Sequence, residues 1–185
     1  MTEVARREIQ LVPLAELDSA AWRRVQSYFR DPEISHLNGT APSKLPVWLL
    51  RPLLKADSRR NDRRLYGVIA DGKEFIGLTE LYDIRDGSAT LGIIIGERAY
   101  WGRGYGTETV RRVLDIAFNE VGLDSVRLST FEDNLRAQAS FRKAGFRELQ
   151  RVAQRGDKGR MSVWMSIPRE RWFSEFRSPL PQKNP

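Results

Sequence analysis

Apolar residues recur along this chain at two different periods, and the period changes near residue 64. Before that point Leu17, Ala21, Val25 and Phe29 follow one another at intervals of four, which predicts a helix over Leu14 to Phe29. Asp31-Pro32 should end it, because the residue before a proline is driven out of the helical region. Glu8 to Val12 reads as a short strand, Ser35 to Pro46 as loop, and Pro46 to Lys55 as a second helix that Pro52 threatens to shorten. Ser58 to Arg64 (SRRNDRR) is a polar connector rather than a domain linker, since the segment before it is too small to fold alone.

After residue 64 strands dominate. Arg64 to Ala70 and Phe75 to Ile84 flank an Asp71-Gly72 hairpin turn, and Arg85-Asp86-Gly87 marks a turn into Ser88 to Ile95. A helix is predicted through Val110, Val113, Leu114, Ala117 and Val121, then a strand over Asp124 to Phe131. Leu135 to Lys143 reads as a helix with Asn134 as N-cap and Gly145 at the C′ position. Phe146 to Gln154 and Arg160 to Ile167 form a closing hairpin, and Arg169 to Phe176 a last helical piece. The expectation is one α+β domain over residues 1–178, with a loose tail at 179–185.

Composition narrows the chemistry. The 185 residues suffice for one sizeable core, and a 41% apolar content with five tryptophans argues for a folded globule. There is no cysteine, which excludes disulfides, thiolate metal sites and a cysteine nucleophile, and fits a reducing, cytoplasmic home. A single histidine, His36, excludes a multi-histidine metal site, so no metal is expected. No apolar run approaches the roughly 18 residues of a membrane span, and no signal peptide is seen. The net charge of +7 suits an anionic partner, either a phosphate-bearing cofactor or nucleic acid. Nucleic acid is not expected, because no recognised binding motif accompanies the charge.

The most informative stretch is Trp101-Gly102-Arg103-Gly104-Tyr105-Gly106-Thr107, between a strand and a helix. Free N–H groups at a helix start form an anion site, glycines allow close backbone approach, and Arg103 adds a cation. It is not a Walker loop, which needs Gly-Lys followed by Ser or Thr. Nor is it a Rossmann fingerprint: the next strand closes on Ser129-Thr130-Phe131 without an acid.

LGIIIGERAYWGRGYGTE resembles the central motif of the GNAT acetyltransferases, Gln/Arg-x-x-Gly-x-Gly/Ala, with Trp101 in the first position. Tryptophan there departs from the general pattern but is common in the branch that includes ribosomal-protein N-terminal acetyltransferases, to which spermidine acetyltransferases are close. Asn134 to Phe146 resembles the family's Asn-x-x-Ala…Lys-x-Gly-Phe helix, and GLTELYDI (Gly77 to Ile84) the strand before the central one. The three matches run in register over Phe75 to Phe146.

The resemblance implies a mixed, mostly antiparallel sheet of six or seven strands flanked by helices, with splayed central strands, and acetyl-CoA as co-substrate. It implies that Ile94, Ile95 and Gly96 pair with the pantetheine arm and that a backbone N–H there, at Ile95, polarises the thioester carbonyl. Gly102, Arg103, Gly104, Tyr105, Gly106 and Thr107 would cradle the pyrophosphate, with Asn134 beside pantetheine and Lys143 toward the nucleotide. The acceptor would be a primary amine: a protein N-terminus, a polyamine or another small amine. An antibiotic or amino-acid acetyltransferase is an alternative on the same scaffold, and relatives are often homodimers.

A protonated amine must lose a proton before attack. Period two puts Glu80 with Leu78 and Tyr82 on one face of its strand, and Asp83 with Thr79 and Leu81 on the other. Whichever faces the cleft is the candidate base, with Glu97 third. His36, Tyr82 and Trp48 are candidates for the acceptor pocket. Many relatives carry a tyrosine seven residues after the helix asparagine to protonate the leaving thiolate. Phe141 stands there and cannot, which opens a second reading: a CoA-binding module without turnover.

Overall fold

The computed structural model describes residues 7–154 and 159–176. The predicted boundary at 178 and the tail beyond it lie outside these residues. Strand β1 (Ile9–Pro13) leads through a 3-10 turn (Leu14–Glu16) into α1 (Ser19–Arg30), α2 (Pro32–Leu37) and α3 (Val47–Asp57). Then follow β2 (Arg64–Ala70), β3 (Glu74–Arg85), β4 (Ser88–Ile95), α4 (Tyr105–Asp115), β5 (Ser125–Phe131), α5 (Leu135–Lys143), β6 (Arg147–Ala153), β7 (Met161–Pro168) and α6 (Arg169–Glu175). The strands form one seven-stranded sheet in the order β1-β2-β3-β4-β5-β7-β6. Every pairing is antiparallel except β4 with β5. This is the expected mixed, mostly antiparallel α+β sheet, with β7 inserted between β5 and β6.

The N-terminal helices depart from the sequence reading in an instructive way. The predicted helix over Leu14 to Phe29 is broken, because Asp18 takes the N-cap position of α1 and accepts from the Ala21 N–H at 2.7 Å. Asp31-Pro32 does end α1, but it also starts α2. The Asp31 carboxylate accepts from the N–H groups of Glu33 (2.9 Å) and Ile34 (3.0 Å), and Pro32 occupies the first turn, where its missing N–H costs nothing. His36 therefore sits in the last turn of α2, not in a loop. Pro52 lies inside α3 without ending it. At its far end α4 runs on into a π-helical turn (Ile116–Glu120), closed by Val121 N–H on Ile116 O at 2.9 Å.

Both faces of the sheet are covered. On one, Val113 and Leu114 of α4, Phe141 of α5 and Trp172 of α6 pack on Leu81, Leu91, Val126 and Met165. On the other, Trp22 and Val25 of α1, Ile34 of α2 and Leu50 of α3 pack on Phe75 and Leu78. The first layer spans β3, β4, β5 and β7, the second covers the β2–β4 side, and β6 stays exposed at the edge.

Candidate active site

The opening arises in the strand pairing. β4 and β5 pair only over Ser88–Thr90 and Ser125–Arg127, and beyond Thr90 they part. A cleft of about 900 Å³ fills the gap. In an antiparallel ladder, successive residues direct their backbone groups alternately to one neighbour and the other. Gly96 donates to Ile76 O at 2.8 Å, on the β3 side. By alternation in the β3–β4 register, Gly92 and Ile94 also bond toward β3 and Ile93 and Ile95 turn theirs to the opening, the Leu91 amide being the last one used by the pairing with β5.

This places the first group of candidates. Ile95 lines the cleft with an outward backbone N–H, as expected. Ile94 lines it by its side chain alone. Gly96 is a correction: it is buried under the Tyr28 ring, its N–H is held by Ile76, and it does not line the cleft. Ile93, which the sequence reading omitted, takes its place, and strict alternation from Ile95 was the signal.

At the end of β4 the chain turns through Gly102 (φ +71°) and Gly104 (φ +90°), left-handed positions that favour glycine. Gly104 caps α4, and the helical ladder begins with Glu108 N–H on Gly104 O at 3.0 Å. The N–H groups of Tyr105, Gly106 and Thr107 precede that ladder, and no side chain caps them. They form an anion site at the positive end of the helix dipole, beside the open edge of β4. Gly102, Gly104, Gly106 and Thr107 line the cleft. Arg103 is exposed and outside the lining, and the Tyr105 hydroxyl is turned away to Asp71 Oδ2 at 2.6 Å. Of these two, only the backbone is placed to serve. The guanidinium of Arg7 lies over Gly104, within 3.2 Å of where a Cβ would stand, a placement that no motif signals.

Trp101 explains its place in the motif. Its indole Nε1 donates to Ile95 O at 2.6 Å and pins the tip of the open edge. The Arg136 guanidinium stacks on the same ring at 3.7 Å, and Arg98 lies 5.3 Å from it. Arg98 is anchored on Asp31 (2.8 Å) and Glu33 (2.7 Å). Arg136, also missed from sequence, lines the cleft, and burial pulls its pKa down. Asn134 lines the cleft while its Oδ1 caps α5 on the Ala137 N–H at 3.1 Å, so the cap and a cleft role coexist. Phe141 lines the inner wall but is 5% exposed and packs on Phe146 at 6.2 Å, an apolar surface with no proton to give. Lys143 lies at the outer end, exposed.

Of the two candidate bases, the structure brings only Glu80 into the cleft. Burial raises its pKa above the usual carboxylate range; Arg63, at 3.0 Å, opposes that shift and Asp57 adds to it. Asp83 is a correction. It sits in a β-bulge with φ +52°, exposed and outside the lining. Glu97 also lies outside, accepting from the Tyr28 hydroxyl at 2.7 Å. Tyr82 does line the cleft. His36 instead meets Asp133 at 3.3 Å, and Trp48 points outward, 73% exposed.

An open strand edge, a helix start with free N–H groups and a half-buried carboxylate meet at one cleft, an arrangement suited to a phosphate-bearing ligand laid along the edge. Residues 8–147 match the acetyltransferase (GNAT) domain family, and the chain belongs to it. It is an acetyl-CoA-dependent N-acetyltransferase. Among solved structures it is similar to spermidine N-acetyltransferase from Vibrio cholerae in complex with CoA and spermine (TM-score 0.78, 21% identity, 91% of this chain and 99% of that one). It is also similar to an aminoglycoside acetyltransferase in complex with coenzyme A (TM-score 0.71, 19% identity, 93% and 99%). Both likenesses speak for the fold.

Proposed function

We propose that the chain acetylates a primary amine by direct attack within a ternary complex. The observation that carries this reading is that Glu80 and the outward N–H of Ile95 face one cleft from adjacent strands. The ammonium of the acceptor gives its proton to Glu80, and the freed amine attacks the thioester carbon. The Ile95 N–H donates to the carbonyl oxygen as it gains charge. The C–S bond then breaks, the thiolate leaves, and the nitrogen gives its remaining extra proton to solvent, which leaves a neutral amide. With phenylalanine at 141 no hydroxyl waits for it there, and a thiol pKa of about 8.5 makes the free thiolate a tolerable leaving group. Gly102 to Thr107 hold the pyrophosphate through backbone N–H groups, and Arg7 and Arg136 supply the charge first expected of Arg103.

The cysteine-free composition supports a cytoplasmic site of action. No helix among the described residues is long and apolar enough to cross a membrane. β6 is an exposed edge strand with Leu149 63% and Val152 40% exposed, which supports a homodimer paired along that edge. Sedimentation velocity of wild type and Leu149→Lys checks it.

The acetyl-transfer test is CoA release from acetyl-CoA across a panel of N-terminal peptides, polyamines and aminoglycosides. Turnover with at least one is expected. CoA binding without release from any of them would leave a binding module.

A further inference from the structure

The polar connector between α3 and β2 sends one of its arginines inward. Arg60 stays at the surface on Asp62 (2.8 Å), and Arg64 is exposed. Arg63 instead enters the cleft with a side chain only 23% exposed. Its guanidinium meets Asp57 at 2.6 Å and Glu80 at 3.0 Å, and lies 5.5 Å from the Tyr82 ring centre. Two carboxylates and an aromatic face, partly withdrawn from water, are what a protein offers to bind an alkylammonium ion. Here that cage is filled by the chain's own cation.

We infer that Arg63 occupies a built-in cation site made by Asp57, Glu80 and Tyr82, and thereby sets the cleft for acceptors carrying one ammonium and against di- and polyamines. The inference rests on the acceptor entering the cleft that Glu80 faces. The charges support it. Two carboxylates against one guanidinium leave a single negative charge, which matches one incoming ammonium. Once Glu80 has taken the acceptor's proton, Asp57 and Arg63 remain as a balanced pair. A second ammonium would have to displace Arg63 or lie beside it against like charge. The site thus rejects polycations by occupancy, although the residues around it are those that would attract them.

The test compares n-hexylamine with 1,6-diaminohexane, which differ by one ammonium. For each, kcat/KM is measured and binding to the CoA-loaded protein is followed by calorimetry. Wild type should favour the monoamine. Arg63→Gln should move the diamine-to-monoamine ratio by roughly tenfold toward the diamine, and Arg63→Lys should keep the wild-type ratio. The alkaline-going limb of the pH–rate profile should also move to higher pH in Arg63→Gln. With the guanidinium gone, burial and the Asp57 charge act on Glu80 unopposed, with Tyr82 the remaining group facing it. A wild type that binds the diamine better than the monoamine overturns the inference, as does an unchanged binding ratio in folded Arg63→Gln. If neither amine is acetylated but the binding ratio shifts as stated, the cation site stands and the proposal that Glu80 serves as base for a simple alkylamine falls.

Discussion

The two ends of the cleft are built on different principles. At the end proposed for the coenzyme the groups on offer are backbone amides: Ile93 and Ile95 on an unpaired strand edge, and Tyr105, Gly106 and Thr107 at a helix start. Side chains there hold the backbone in place, as Trp101 does on Ile95 and as Thr107 does through its hydroxyl pair with Ser140 at 2.8 Å. At the end proposed for the acceptor the groups on offer are side chains brought from α3, the connector and β3: Asp57, Arg63 and Glu80. A site made of main chain recognises what every relative shares, the coenzyme. A site made of side chains is free to change with the acceptor.

That contrast orders the expected effects of substitution. Glu80→Gln removes the proton acceptor and should lower kcat/KM by about 100- to 10,000-fold with CoA affinity intact. In wild type, activity should fall as pH drops through a Glu80 pKa raised above the usual range, since the protonated carboxyl cannot accept. The same raised pKa means that Glu80 favours the folded state below its ordinary carboxylate range and loses that contribution as pH rises through the folded value. Glu80→Gln should therefore hold or raise the denaturation midpoint at neutral pH. Loss of CoA binding in this variant would break the division between the two ends.

Gly104→Val acts at the other end. A β-branched residue at φ +90° carries about 1–3 kcal/mol of strain, and its side chain would stand against Arg7. CoA affinity by calorimetry should drop by roughly ten- to 100-fold, whereas the diamine-to-monoamine preference should stay as it was. Phe141→Tyr is expected to have the smallest effect. Its ring is buried in the inner wall, so a hydroxyl should leave CoA affinity nearly unchanged and raise turnover by about tenfold or less, most at low pH. If it abolishes CoA binding instead, the residue acts only in packing and the wall assignment fails.

The same contrast explains what could be read from sequence. Gly102 and Gly104 announce themselves because their backbone angles require glycine, so residue identity carries the geometry. β2, β4 and α5 were legible to the residue because their periodicity and caps are local. Glu80 could be named from sequence as one of several carboxylates, but Asp57 and Arg63 acquire meaning only when the β2–β3 register and the end of α3 bring them to it. On sequence Asp83 is an equal alternative, because periodicity separates the two faces of a strand without saying which one meets a cleft. Helix α2 was missed for a different reason: Asp31-Pro32 was read as a stop, and the same two residues are equally a start.

The short β4–β5 pairing has a consequence for hydrogen exchange. Along the last stretch of β4 the amides of Gly92, Ile94 and Gly96 are committed to β3, and those of Ile93 and Ile95 face the opening. Deuterium should therefore enter this single strand at alternate positions, quickly at the odd residues and slowly at the even ones. Coenzyme lying along the edge would shield the odd set and leave the even set as it was. The strand would thus report occupancy by the loss of its own two-residue rhythm, with no label attached and no residue changed.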